Sequence, residues 1–213
     1  MELVRQKAYR ETFEMAWSRL MELPLEEQAV KAGVEIVRKG SILRIPVPFF
    51  DETIELAIPG FSFESVKGSN VTLTAKIIIL HYLIHASGVL PGADLVPYED
   101  IPGCRAYLPV FERRVVKPML AAFGNARDAF VDAGKALGGR EEAYGNGSFT
   151  LHAFPRVALT FILWEGDETF TPSIKVLFER SIPAYLPLED IVVISKMAAT
   201  RIIKQARKTY IDA

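Results

Sequence analysis

Apolar positions recur with a helical period over residues 2–22, where Leu3, Phe13, Trp17 and Leu20 share much of one face and Arg5, Glu11 and Arg19 take the polar one. Pro24 interrupts the pattern and opens a second, short helix. Glu26 and Glu27 stand in its first turn, where a helix N-terminus favours negative charge, and Gly33 ends it. From Gly33 to Phe63 the period falls to two. Val34–Val37 and Ser41–Ile45 flank Lys39-Gly40, which predicts a tight hairpin, and Thr53–Ile58 alternates cleanly until Pro59-Gly60, with Phe61–Phe63 as a further strand. Such alternation implies one solvated face, as in an antiparallel meander. Pro46 and Pro48 have no amide hydrogen to give a ladder, so their strand ends there or lies at an edge.

Asn70 is placed to cap a helix over residues 71–87 that Gly88 closes. Its apolar residues surround the axis, which predicts a buried central helix. A Pro- and Gly-rich loop then runs through Gly103, and helices follow at 106–122 and 125–137, the first disturbed by Pro109 and Pro118. Gly138-Gly139 and Gly145-Asn146-Gly147 bracket a flexible stretch long enough to be a domain linker. Strands follow at Ser148–Phe154, Val157–Trp164 and Ser173–Phe178. The final helix starts after Pro187, with Glu189 and Asp190 in its first turn and its basic residues late, and runs to about Tyr210. Two or three strands and one helix make a thin core alone, so the C-terminal part is read as completing a single domain.

The expected fold is therefore one α+β domain: N-terminal helices 1–32, strands 33–65, a helical middle 70–138, and strands with the C-terminal helix 147–210. One mainly antiparallel sheet is expected to pool the strands near 34–63 and 148–178, with the 71–87 helix buried against it.

Composition narrows the function classes. A chain of 213 residues that is 50% hydrophobic needs no metal or disulfide staple to fold. Twenty-five basic against twenty-six acidic residues leave a net charge of −1, which argues against a dedicated nucleic-acid binder or a polybasic membrane anchor. The single cysteine, Cys104, excludes an intramolecular disulfide and a cysteine-ligated iron–sulfur cluster held by this chain alone. Charges recur every few residues at the start, so no signal-peptide core is present there. The longest apolar stretch, Ile77–Ala86, is too short to cross a bilayer, which makes a cytoplasmic protein the expectation. Phosphate-cradling and dinucleotide-binding glycine motifs and the Gly-x-Ser-x-Gly elbow are all missing. Lys196, Arg201, Lys204, Arg207 and Lys208 give the last helix a basic end, for which dipole complementarity and solubility suffice.

Two features can carry chemistry. His81 and His85 stand four apart on the central helix, which puts both imidazoles on one face within reach of one transition-metal ion. Further ligands would have to come from elsewhere, such as His152, Asp94, Glu99 or Cys104; the alternative is that both rings fill the core. The second is Trp164-Glu165-Gly166-Asp167-Glu168-Thr169-Phe170, three carboxylates around a glycine at a strand end. Asp167 or Glu168 can serve there as a general base or cation ligand, and Trp164 as a cofactor contact. The alternative is a solvated acidic turn that Trp164 and Phe170 anchor to the core. Arg105 beside Cys104 can lower the thiol pKa if both are partly exposed; otherwise Cys104 is a small buried hydrophobe.

Taken together, Ile79–Leu83 with Ala86 and Gly88, Phe111, Phe123-Gly124, Phe154–Val157, Leu163–Phe170, Leu177–Ile182 and Tyr185–Asp190 resemble an uncharacterised family filed as a domain of unknown function. The resemblance spans roughly residues 70–205 and is strongest in the last third. It implies a setting in the anaerobic cofactor or one-carbon metabolism of bacteria and archaea. Some members carry a cysteine-rich segment like a four-iron, four-sulfur site, from which this chain departs, having Cys104 alone. The resemblance carries no catalytic residue.

Two functions of different class follow. One is an accessory domain that binds a cofactor or a partner protein in anaerobic metabolism. The other is a metal-dependent enzyme with His81 and His85 as ligands and Asp167 or Glu168 as ligand or base. Neither oligomeric state nor substrate is fixed by the residues.

Overall fold

In the computed structural model, which describes residues 2–211, the N-terminal helical period becomes α1 (Glu2–Met21). Trp17 and Leu20 are buried on it as expected, with the Trp17 ring 4.3 Å from Phe61 and Phe13 6.0 Å from Phe63. Helix α2 (Leu25–Ala32) stops at Gly33, which adopts φ 70°. Its buried Gln28 donates from Nε2 to the carbonyls of Leu83 and Ile84 at 2.9 Å each. Those carbonyls close α3 (Leu73–His85) and have no partner within their own helix, so Gln28 satisfies a helix end from outside.

Helix α3 is the buried central helix, with Ile77 to Leu80, Tyr82 and Leu83 all out of solvent, and it packs on α1 and α2. Its N-cap is Thr72, whose Oγ1 accepts from the Ala75 amide at 3.2 Å, so the helix begins later than an Asn70 cap would have it.

The period-two segment forms an antiparallel sheet in the order β1 (Val37–Lys39), β2 (Ile42–Phe49), β3 (Glu52–Ile58), β4 (Ser62–Ser65). Lys39 pairs with Ile42, which puts the hairpin turn at Gly40-Ser41, one residue beyond the expected place. Strand β2 does not end at its prolines. Strand β1 pairs only with Ile42–Arg44, so Pro46 and Pro48 lie where the outer side of β2 is an edge and no ladder bond is lost.

Contacts divide the chain into two compact units, each assembled from three segments. The first holds the chain through Leu90 together with Phe154–Arg156 and Ala184–Pro187. Tyr82 fastens these pieces. Its hydroxyl donates to the Ala32 carbonyl and accepts from the Arg156 amide, and its ring stacks on Phe154 at 4.1 Å and lies 5.9 Å from Tyr185. Burial pushes the Tyr82 phenol far above its ordinary range, so it stays a donor.

The second unit holds Pro91–Ala153, Val157–Pro183 and the chain from Leu188. Its sheet runs β5 (Leu95–Pro97), β9 (Ser173–Glu179), β8 (Val157–Trp164), β7 (Gly147–Phe154), β6 (Arg140–Glu141). The strands expected to share one sheet thus form two: β1 to β4 pair in sequence order, and β6 to β9 pair with their sequence neighbours, while β5 joins the second sheet by pairing with β9 about 80 residues further on. Strand β5 arises inside the Pro- and Gly-rich loop. Strand β6 arises inside the glycine-bracketed stretch, which is a hairpin arm of this unit, with Arg140 opposite Thr150, and not a linker.

Helix α4 (Leu108–Phe111) passes through a π-helical turn at Glu112–Val116 into α5 (Lys117–Phe123). The wide turn is how the chain accepts Pro118, which cannot donate to the turn before it. Helix α6 (Arg127–Ala136) and helix α7 (Leu188–Ile211) complete the unit, α7 packing on α5 and α6. Phe130, Phe149 and Phe161 form the aromatic core, with centroids 4.8 and 5.6 Å apart along the series, and Tyr98 stacks on Phe111 at 4.2 Å.

Candidate functional site

Strand β8 is buried from Val157 to Leu163 and then releases Trp164 to solvent, where Trp164 faces Ser173 of β9 across the ladder. The loop between them is held by hydrogen bonds. Asn146 Oδ1 accepts from the Glu165 amide and Asn125 Oδ1 from the Gly166 amide, each at 2.9 Å. Glu165 Oε1 accepts from the Arg127 amide at 3.0 Å, which satisfies one of the free amides at the start of α6. Arg127 returns a bond from Nε to the Asn146 carbonyl at 3.0 Å. At the tip, Asp167 Oδ1 accepts from the amides of Thr169 and Phe170 at 2.7 Å, and the Asp167 amide donates to the Phe170 carbonyl. These two amides hold the Asp167 carboxyl below the usual carboxylate range.

This scaffold frames an open groove of about 540 Å³ lined by Asn146, Trp164, Glu165, Asp167, Phe170, Thr171, Ser173 and Lys175. Trp164 is 37% and Phe170 70% exposed. The reading in which both aromatics anchor the loop to the core is therefore corrected for Phe170, which turns to solvent: hydrogen bonds of Asn125, Asn146 and Glu165 hold the loop, and Trp164 stays partly covered. Gly145 permits the placing of the indole. It adopts φ 56°, and a Cβ there would lie 2.6 Å from the Leu163 carbonyl oxygen and 3.2 Å from Trp164 Cε2.

The other candidate residues fall as follows. His81 and His85 share one face of α3, with ring centroids 6.2 Å apart and planes at 83°. His81 is half-buried and His85 exposed, so the alternative in which both fill the core is corrected as well. Among the described residues, no group of three or more His, Cys, Asp or Glu side chains comes together to hold a metal ion. The histidine pair belongs to the first unit, and Asp167 and Glu168 to the second. Asp94 pairs with Arg180 at 2.5 Å, and His152 is exposed on β7, where partial desolvation and Arg140 push its imidazole down. Cys104 is fully buried. Burial pushes its thiol up, and Arg105 turns to solvent near Asp100, so the activated-thiol reading is corrected too.

Of the groove residues, Trp164, Asp167 and Phe170 stood out in the sequence, whereas Asn146, Thr171, Ser173 and Lys175 did not. A signal for Lys175 exists: it alternates with buried Ile174 and Val176 on β9. Asn146 lay hidden between two glycines that read as flexible.

A family model described as a domain of unknown function (DUF3786) matches residues 24–201. No curated protein matches the chain. No solved structure matches it either.

Proposed function

The chain belongs to the DUF3786 family of unknown function, and from that premise we propose that it is a non-catalytic binding domain whose ligand or partner is held in the groove at Trp164 and Phe170. The observation that carries this is the exposure of two large aromatic rings on a loop otherwise pinned by hydrogen bonds. Rigid aromatics presented to solvent beside a few polar groups are what a recognition surface needs, because little side-chain entropy is lost on binding. Asp167 supports binding over proton transfer: a carboxylate held ionised and engaged by two amides makes a poor general base. The accessory role in anaerobic metabolism rests on the family resemblance alone.

The two tryptophans supply the test. Trp17 is buried and Trp164 exposed, so iodide should quench Trp164 selectively. Protein prepared without oxygen or a histidine tag is mixed with the small-molecule fraction of its host's extract. Protection of Trp164 from iodide, together with a bound mass in native mass spectrometry that Trp164→Phe with Phe170→Ser loses, is the expected result. A bound mass that survives both substitutions would overturn the reading, as would no protection at any extract concentration.

The second reading is the metal-dependent enzyme, favoured by two imidazoles one helical turn apart at the surface of α3. Calorimetric titration with zinc or nickel checks it. One ion per chain, lost in His81→Ala and in His85→Ala, is its expected result, and wild-type heats retained in both variants would end it.

A further inference from the structure

The charge of the groove adds to its shape. Glu165 and Asp167 line it and Glu168 stands on the same loop, whereas Lys175 lies among the lining residues as a cation. Asp167 is ionised at neutral pH, and the turn uses its Oδ1, so Oδ2 remains for a ligand. Trp164 and Phe170 are exposed beside these carboxylates, and an aromatic face carries the negative side of the ring quadrupole. Carboxylates and aromatic faces attract the same kind of group. We infer that the groove takes an organic cation, a guanidinium or alkylammonium on an apolar stem, that packs against Trp164 and Phe170 with Asp167 as its counter-ion.

This inference rests on the binding-domain reading and deepens it. A simple anion fits poorly, because the carboxylates of Glu165 and Asp167 line the same groove as the rings. A bare metal ion fits poorly too, since no cluster of three ligating side chains is present among the described residues. Lys175 gives the site polarity. The cationic end of the ligand is directed to Asp167, and a carbonyl or carboxylate end is directed to the ammonium. Ser173 and Thr171 add hydroxyls to the lining.

The probes are argininamide, the peptide acetyl-Ala-Arg-Ala-amide, and N-acetylglutamate as the anionic counterpart, each titrated into isotope-labelled protein and followed by amide and indole NMR shifts. Saturable shifts at the Trp164 indole N–H and the Ser173 and Lys175 amides with the arginine probes, and not with acetylglutamate, are the expected result. Tighter binding of the peptide would assign the cation to a partner's side chain, and tighter binding of argininamide to a free small molecule. Asp167→Asn tests the counter-ion without disturbing the turn, because the asparagine Oδ1 can accept the same two amides. It should weaken the arginine probes about two- to five-fold, the range for an exposed ion pair. Phe170→Ser should weaken them as well. Shifts with acetylglutamate alone, or equal affinity in Asp167→Asn, would overturn the cation while leaving a binding groove. The absence of groove shifts with argininamide at saturating concentrations would also overturn it, whatever the extract experiment shows.

Discussion

Tyr82→Ala is expected to lower the unfolding free energy by about 3–5 kcal/mol, the range for deleting a buried aromatic side chain. Tyr82 is fully out of solvent, its ring lies within 5° of parallel to Phe154, and its hydroxyl joins the Ala32 carbonyl to the Arg156 amide. Truncation removes the ring from between Phe154 and Tyr185 and leaves a buried carbonyl and a half-buried amide without their partner. Tyr82→Phe separates the two contributions. It keeps the stack and should cost about 1–3 kcal/mol, the penalty for buried polar groups left unmade. Chemical denaturation of both variants provides the check, and equal losses would show that the stacking contributes nothing.

Gly134→Val is expected to destabilise the protein by about 3 kcal/mol through overpacking. Gly134 lies in α6 directly against the Phe149 ring, and a Cβ built there would sit 2.5 Å from two of its carbons. That ring cannot retreat, because it is fully buried with Phe130 at 4.8 Å and Phe161 at 5.6 Å. Gly134→Ala gains about 1 kcal/mol of helix propensity, so it should fall between wild type and valine. The pair Gly134→Ala with Phe149→Leu should recover part of the loss made by Gly134→Ala alone, because the smaller side chain yields the space. Additive losses in that cycle would show that the ring is not what the new methyl meets.

Much of the fold was legible in the sequence wherever a single period dominates. The strands over 147–164 and the helices α1, α2 and α7 lie close to where apolar spacing, prolines and glycines put them. The illegible parts are those decided by partners distant in the chain. Strand β5 is three residues that become a strand only by pairing with Leu177–Glu179. The strand groups part into two sheets, which no local pattern specifies. The cap of α3 shows the finer limit. Asn70 and Thr72 are both good capping residues, and the choice between them depends on where the helix is packed.

The candidate site divides in the same way. Trp164, Asp167 and Phe170 lie within one short run and could be seen, although their exposure could not. An aromatic beside a hydrophobic strand looks the same whether it anchors a loop or leaves it. The difference lies with Asn125, Asn146 and Arg127, which take over the anchoring from 19 to 41 positions away. The histidine pair shows the same limit, because helical spacing brings the rings together while nothing in the residues around them tells a surface face from a core one.

The assembly of each unit from three segments has a consequence for synthesis. A chain made from its N-terminus commonly folds one domain at a time, the first closing before the next has emerged. Here the first unit lacks Phe154 and Tyr185, the neighbours of the Tyr82 ring, until most of the second unit has left the ribosome. A nascent chain halted after Leu90 would hold α1 to α3 and the first sheet with Tyr82 still waiting for its stacking partners, so the two units reach completion late and nearly together.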